Sequence, residues 1–361
     1  MKAAVLNEQP GQLDIEELTI DKPASDEVLI RVVGAGLCHS DLHFMEGIFR
    51  TTIPAVLGHE SAGVVEAVGD DVDYVSPGDH VICCLSIFCG QCRQCLSGHP
   101  NRCTNGQATS RPKDAPPRLR RGEEPIEQFA RLGGFAEQML VHQNAVVKIV
   151  PDMPLDRAAL IGCGVMTGMG AVFRTAAVEP GSRVCVIGAG GIGLAAVQAA
   201  RIAGAGQVIV VDVTADKLET ARQLGATDTV DATAVDDVVA AVKELSGGGV
   251  DYSFEAIGRK DTAEQAFNML DLGGTATVIG MVPSKQMLEI RGIDLLSEKK
   301  LQGSMMGSNR FRIDMPNLVR MYLDGRLMLD EMVSATLTLD QVNDGYGMMK
   351  RGEIARSVIS F

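Results

Sequence analysis

The sequence predicts an α/β protein of two domains, a β-barrel-like domain followed by a doubly wound parallel sheet. Three observations predict it. The 361 residues exceed what one compact core holds comfortably. Short β-like runs broken by Gly, Pro and Asp fill the first ~150 positions, and from about Pro180 apolar runs of strand length alternate with helical segments. A Gly-rich turn then joins the first of those later runs to the first of those helices.

In the first domain the strands are MKAAVL, DEVLIRVVGAG, SAGVVEAVGDDV, GDHVICC and FAEQMLVHQNAVVKIV. Their alternating apolar positions and close turn signals fit a barrel whose loops carry the function. The polar stretch between Asn105 and Gly133, rich in Arg and Pro, reads as a surface loop. Beyond Pro180, SRVCVIG precedes a helix through Ala203, QVIVVD one through Leu224, and DTVD one through Leu245. VDYSFEAIG, TATVIG and LQGSMM supply three more strands. Continuous Val/Ile runs mark strands buried on both faces, and six of them complete a Rossmann-type sheet. The rhythm is then lost, and the chain closes on ARSVISF, a strand expected to return to the first domain.

A formal charge of −13 and the absence of Trp exclude a nucleic-acid surface, which needs positive charge and stacking rings. No run approaches the ~20 apolar residues of a membrane helix. MKAAVLNEQPGQ is too short in apolar residues for a signal-peptide core. The expectation is a cytoplasmic protein with no membrane partner. In that reducing setting nine Cys point to metal ligation ahead of disulfides.

VCVIGAGGIGLAAVQAARIAGA carries Gly188, Gly190 and Gly193 in G-x-G-x-x-G spacing, with Gly191 opening an Ala-rich helix. After a Val/Ile strand this spacing has a physical meaning. Gly188 permits the tight turn, Gly190 lets the backbone approach a pyrophosphate, and Gly193 lets helix and strand pack closely. The helix N-terminus offers N–H groups to phosphate. Asp212 ends the next strand, where a carboxylate accepts ribose hydroxyls and repels a 2′-phosphate, favouring NAD over NADP. An Asp capping the helix that begins at Thr214 would use the same position. Lys217 either reaches that ribose or is a solvated helix residue.

Cys89, Cys92, Cys95 and Cys103 form C-x2-C-x2-C-x7-C, a set suited to a closed, tetrahedral structural zinc. An iron–sulfur cluster is the competing occupant of closely spaced Cys. Cys38 in GLCHSDLHFMEG, His59 in GHESAG and Cys163 in GCGVMTG are dispersed. Each alone reads as an ordinary buried residue, but together they would leave a fourth zinc position open for water or an alcohol.

These motifs, in this order, resemble the medium-chain zinc-containing alcohol dehydrogenases, and the resemblance runs from the first strand to Phe361. It implies a GroES-like catalytic domain over 1–164 and 306–361 and a Rossmann NAD-binding domain over 165–305. It implies two Zn2+ per chain, with Cys38, His59 and Cys163 on the catalytic one and the four-Cys lobe on the structural one. Glu60 would stand beside that zinc or ligate it transiently, and Asp41 would hold a ring N–H of His59. Thr167 would lie near the nicotinamide and Arg356 at a cofactor phosphate. Zinc would lower the pKa of a bound primary or secondary alcohol so that its hydride can pass to NAD, leaving an aldehyde or ketone. The proton would leave by way of Ser40, the nicotinamide ribose and His43.

Many such relatives carry Arg where this chain has His39, so its protonation is expected to tighten cofactor binding. Ile48, Phe49, Leu85 and Met281 would wall an apolar pocket for medium-sized or bulky alcohols, unless they are plain core. Three other functions stay open at this point. One is a thiol-dependent formaldehyde dehydrogenase, whose anionic substrate would use Arg118, Arg120 and Arg121. Another is a dye-coupled enzyme that retains NAD, and a third is a non-catalytic zinc and dinucleotide binding protein. The family assembles through edge strands, which implies a homodimer or homotetramer.

Overall fold

The computed structural model describes residues 1–112, 114–353 and 356–361. Lys113 in the Arg-rich stretch, Ile354, and Ala355, which opens the terminal motif, lie outside the described residues. The chain forms two compact units. The first comprises Met1–Cys163, Arg310–Gly325 and Val333–Phe361, and the second Gly164–Asn309 and Arg326–Met332. The short segment Arg326–Met332 joins the second unit because Gln198 exchanges two hydrogen bonds with the Met328 backbone, at 3.0 and 2.8 Å.

The first unit is built on strand Glu27–Gly36, whose Val28, Ile30 and Val32 are buried while Arg31 between them is exposed. This period of two is what a sheet with one face on the core requires. Ser61–Val68, Gln138–His142 and Ser357–Ser360 all pair antiparallel with it. The terminal strand therefore does return, in the register Val358↔Gly36, Ile359↔Ala35 and Ser360↔Gly34. A second sheet runs, in spatial order, Leu13–Glu17, Lys2–Leu6, Ala55–Val56, Glu124–Gln128, Leu119–Arg121 and Thr19–Ile20. Leu6, Val28, Ile30, Val56, Phe135 and Tyr346 belong to one continuous core.

The stretch expected to be a surface loop, Asn105–Gly133, instead supplies two strands of that sheet. Its arginines are the reason. Glu27 is wholly buried, and Arg111 Nη2 and Arg118 Nε each reach it at 2.6 Å. Arg111 also pairs with Asp21, and Arg121 bridges Glu16 and Glu124. A buried carboxylate must be paired or neutralised, so the Arg-rich segment is folded in. Burial pushes the Glu27 carboxyl up, but Arg111 and Arg118 outweigh it and hold it below the usual range.

The second unit carries a six-stranded parallel sheet. Its spatial order is Asp228–Asp231, Gln207–Asp212, Arg183–Ile187, Val250–Glu255, Leu270–Val278, Lys300–Gly303. Counted along the chain that is 3-2-1-4-5-6, the doubly wound order with its switch point beside strand Arg183–Ile187. Helices Gly191–Ala203, Ala215–Leu224 and Val238–Leu245 follow its first three strands.

One helical run departs from the expectation of no membrane-length segment. Leu155–Ala176 spans 22 residues at a hydropathy of 1.3, yet 83% of its apolar window is buried inside the protein. Length and composition are those of a core helix as much as of a span, and burial decides for the core. Cys83, Cys84 and Cys185 are buried free thiols, and burial pushes all three above the usual thiol range.

Candidate active site and metal centres

Cys38 ends the extended backbone after strand Glu27–Gly36 and caps the helix His39–Met45, with φ −119° and ψ 144°. One turn into that helix, Asp41 is wholly buried. Its Oδ1 accepts the Gly58 N–H at 3.1 Å and lies 3.0 Å from His59 Nδ1. The bond to Nδ1 leaves His59 Nε2 for another partner. Cys163 arrives from a different part of the chain, on a π-helical turn, Ile161–Val165. Such turns insert one residue into a helix and are frequent at functional sites.

Cys38, His59, Glu60 and Cys163 each bring one donor atom to within 4.8 Å of the others, and all four are buried. Tetrahedral zinc with bonds of 2.0–2.3 Å needs donors roughly 3.3–3.8 Å apart, so the set fits that ion. The donors also act on one another electrostatically. The Cys163 hydrogen bond holds the Cys38 thiol well below its usual range against burial, helped by His59. Burial pushes His59 down, but Asp41 and Cys38 outweigh it and hold the imidazole well above its usual range. The Cys163 thiol is pushed well up by the Cys38 bond and by burial. A cation held by these donors would have to displace the protons they hold.

Glu60 is wholly buried and pairs with the Arg356 guanidinium, which also donates to the Leu37 carbonyl. Burial pushes the Glu60 carboxyl to about 8, with Arg356 opposing. Arg356, expected at a cofactor phosphate, is thus itself buried and engaged with Glu60; its Nε has no hydrogen-bond partner among the described residues. Sequence reasoning missed this ion pair because its members stand 296 residues apart.

Ser40 and His43 lie on the same helix face, one turn apart. The His43 ring is 6.2 Å from that of His39, which is exposed, and 5.8 Å from Phe49. His43 Nδ1 is buried without a hydrogen bond among the described residues. Of the expected pocket walls, Phe49 packs on His43 and Phe44, while Ile48 is 52% exposed. Leu85 packs against the core of the first unit. Met281 belongs to the second unit, where its backbone lies against Gly258.

The other four sulfurs also converge within 4.8 Å. Cys92 Sγ is 3.5 Å from Cys95 Sγ and 4.0 Å from Cys103 Sγ. Backbone N–H groups of Cys89 and Cys92 donate to Cys103 Sγ and Cys89 Sγ, both at 3.3 Å, the usual support for thiolates on a metal. No disulfide forms among them.

In the second unit Gly188 has φ +97°, a region that favours glycine. A Cβ at Gly193 would stand 1.7 Å from the Gly188 carbonyl oxygen, while one at Gly190 would meet nothing within 4 Å. The turn is therefore tight at its ends and open at its middle. Asp212 Oδ2 accepts the Ala189 N–H at 2.7 Å, and Oδ1 accepts those of Val213 and Thr214 at 2.8 and 3.0 Å. It ties the Gly-rich turn to the end of the next strand, and it also serves the start of the following helix. Lys217 lies in the first turn of that helix, half-buried. Thr167 is buried, with its hydroxyl 3.6 Å from Met306 Sδ.

Of the arginines proposed for an anionic substrate, Arg118 pairs with Glu27 and Arg121 with Glu16 and Glu124. Arg120 stands opposite Thr19 in the backbone register, and its buried Nε has no hydrogen-bond partner among the described residues.

Comparison with known proteins adds to this. Residues 24–152 match the alcohol dehydrogenase GroES-like domain, and residues 191–323 match the zinc-binding dehydrogenase model. The fold is similar to that of an alcohol dehydrogenase zinc-binding domain protein from Burkholderia ambifaria. The two share 36% identity over 100% of this chain and 98% of that one, with a TM-score of 0.95. It is similar to benzyl alcohol dehydrogenase from Acinetobacter calcoaceticus at 32% identity, over 100% and 99%, with a TM-score of 0.93. A Sinorhizobium meliloti 1021 protein, described as a zinc-binding dehydrogenase and bound to NADP, shares 28% identity over 100% and 99%, with a TM-score of 0.83.

Proposed function

The chain belongs to the medium-chain, zinc-binding alcohol dehydrogenase family, and from that premise we propose that it is an NAD-dependent dehydrogenase of medium-sized, apolar alcohols. The observation that carries the reading is the convergence of Cys38, His59 and Cys163, three donors with Glu60 at their side. A structural protein needs only the closed four-Cys lobe. An open set beside Ser40 and His43 has a use in chemistry.

Cys38, His59 and Cys163 would hold one zinc, and Cys89, Cys92, Cys95 and Cys103 another. When bound, the first supplies Lewis acidity to an alcohol oxygen and NAD supplies the hydride acceptor. Asp41 orients His59 through Nδ1 and keeps its ring basic. Arg356 restrains Glu60 beside the donors. Ser40 would take the alcohol proton while releasing its own hydroxyl proton, and His43, one helical turn on, would take up the released proton and pass it toward solvent. Asp212, held in place by three backbone N–H groups, favours NAD by repelling a 2′-phosphate.

Phe49 against His43 gives the substrate region an aromatic wall. That contact and the likeness to a benzyl alcohol dehydrogenase support aryl or similarly bulky alcohols. The experiment is a panel of primary and secondary alcohols with NAD and with NADP, read as reduced nicotinamide. Failure to reduce either cofactor with any alcohol would overturn the reading.

A further inference from the structure

The helix Val342–Lys350 takes no part in the reaction set out above, yet it lies against the segment that carries Cys38. A Cβ at Gly345 would meet Leu37 Cδ2 at 2.6 Å, and Lys350 Nζ pairs with Glu46 at 2.7 Å. Leu42, Met45 and Tyr346 line one cavity. Tyr346 is 2% exposed, with its ring 6.3 Å from that of Phe135.

Among the described residues two buried oxygens here, Tyr346 OH and Asp41 Oδ2, reach no well-formed hydrogen bond. The other oxygen of Asp41 already serves Gly58 and His59. An orphaned donor and an orphaned acceptor are each unfavourable in a protein interior, and together they complete one another. The side chains are neighbours: burial raises the phenol well above its usual range, and the Asp41 charge beside it raises it further.

We propose that Tyr346 is a positioning residue whose hydroxyl donates to Asp41 Oδ2 when His59 carries a cation. A cation on Nε2 makes Nδ1–H a stronger donor and draws Asp41 Oδ1 toward the ring. A donor on Oδ2 would then fix the plane of the carboxylate, so that the imidazole cannot swing away from Cys38 and Cys163. The inference rests on the proposed metal set of Cys38, His59 and Cys163.

The test is Tyr346→Phe in the full, zinc-loaded chain, challenged with a chelator while zinc release is followed. The zinc of the four-Cys lobe is the internal standard. Zinc from the Cys38 site should leave about 3–10-fold faster, less than the ~10–100-fold effect of a direct partner, and the other zinc at an unchanged rate. Cobalt placed in the Cys38 site should show shifted visible bands. Unchanged release and an unchanged cobalt spectrum would make Tyr346 a packing residue and overturn the proposal. So would faster loss of both metals with a lowered Tm, which is general loosening. Wild-type protein that holds only the four-Cys zinc would overturn the metal set itself, and that result appears before any substitution is made.

Discussion

Asp41 Oδ1 stands 3.0 Å from His59 Nδ1 and also accepts the N–H of Gly58 at 3.1 Å, next to His59 in the chain. One carboxylate oxygen therefore sets both the backbone before the imidazole and the imidazole itself. Nε2 is not used by that bond, and the His59 donor lies within 4.8 Å of the sulfurs of Cys38 and Cys163.

Asp41→Asn keeps the shape but loses the charge that strengthens the ring as a ligand. Its affinity for zinc at the Cys38 site should fall about 10–100-fold in chelator competition. The four-Cys zinc should be unaffected.

Asp212→Ala should cost NAD more than NADP. The ratio of kcat/KM for NAD over NADP should fall by about 10-fold, or about 1.4 kcal/mol. Because Asp212 also ties Ala189, absolute activity with both cofactors should drop. An unchanged ratio would remove Asp212 from cofactor choice.

Glu27 gives a prediction about pH. Its folded carboxyl sits below the usual range, so it stabilises the fold above the unfolded value of about 4.3. That contribution is lost as pH falls below this value and through the lower folded one. Glu27→Gln should lower stability at pH 7 by about 3 kcal/mol, since Arg111 and Arg118 keep their charge and lose its partner. It should also flatten the acid limb of Tm against pH.

Phe49→Ala should lower kcat/KM for benzyl-type alcohols at least about 10-fold while changing ethanol far less. Equal losses for both would mean that Phe49 supports His43 and does not contact substrate.

Most of the architecture was legible in the sequence because local signals agreed with the fold. The six strands of the parallel sheet are Val/Ile-rich or turn-bounded, and the helices that follow its first three strands end at Ala203, Leu224 and Leu245 as their periods predict. The Gly-rich turn was legible for the same reason. The Arg-rich stretch was not, because composition cannot reveal that Glu27, some 84 residues earlier, is buried and in need of Arg111. Residue types in the Cys38 site were legible as candidates, but their meeting depends on a π-helical turn at Cys163 with no signature in the chain. Tyr346 and the Glu60–Arg356 pair depend on the returning C-terminal segment, a long-range contact no local pattern encodes.

The most direct test of the central claim measures zinc content and NADH formation together, in wild type and in Cys38→Ala, with benzyl alcohol and NAD. The account predicts two zinc ions per chain and turnover in wild type, with one zinc and no turnover in the variant. One zinc per wild-type chain with no NADH formed, or turnover that survives Cys38→Ala, would contradict it.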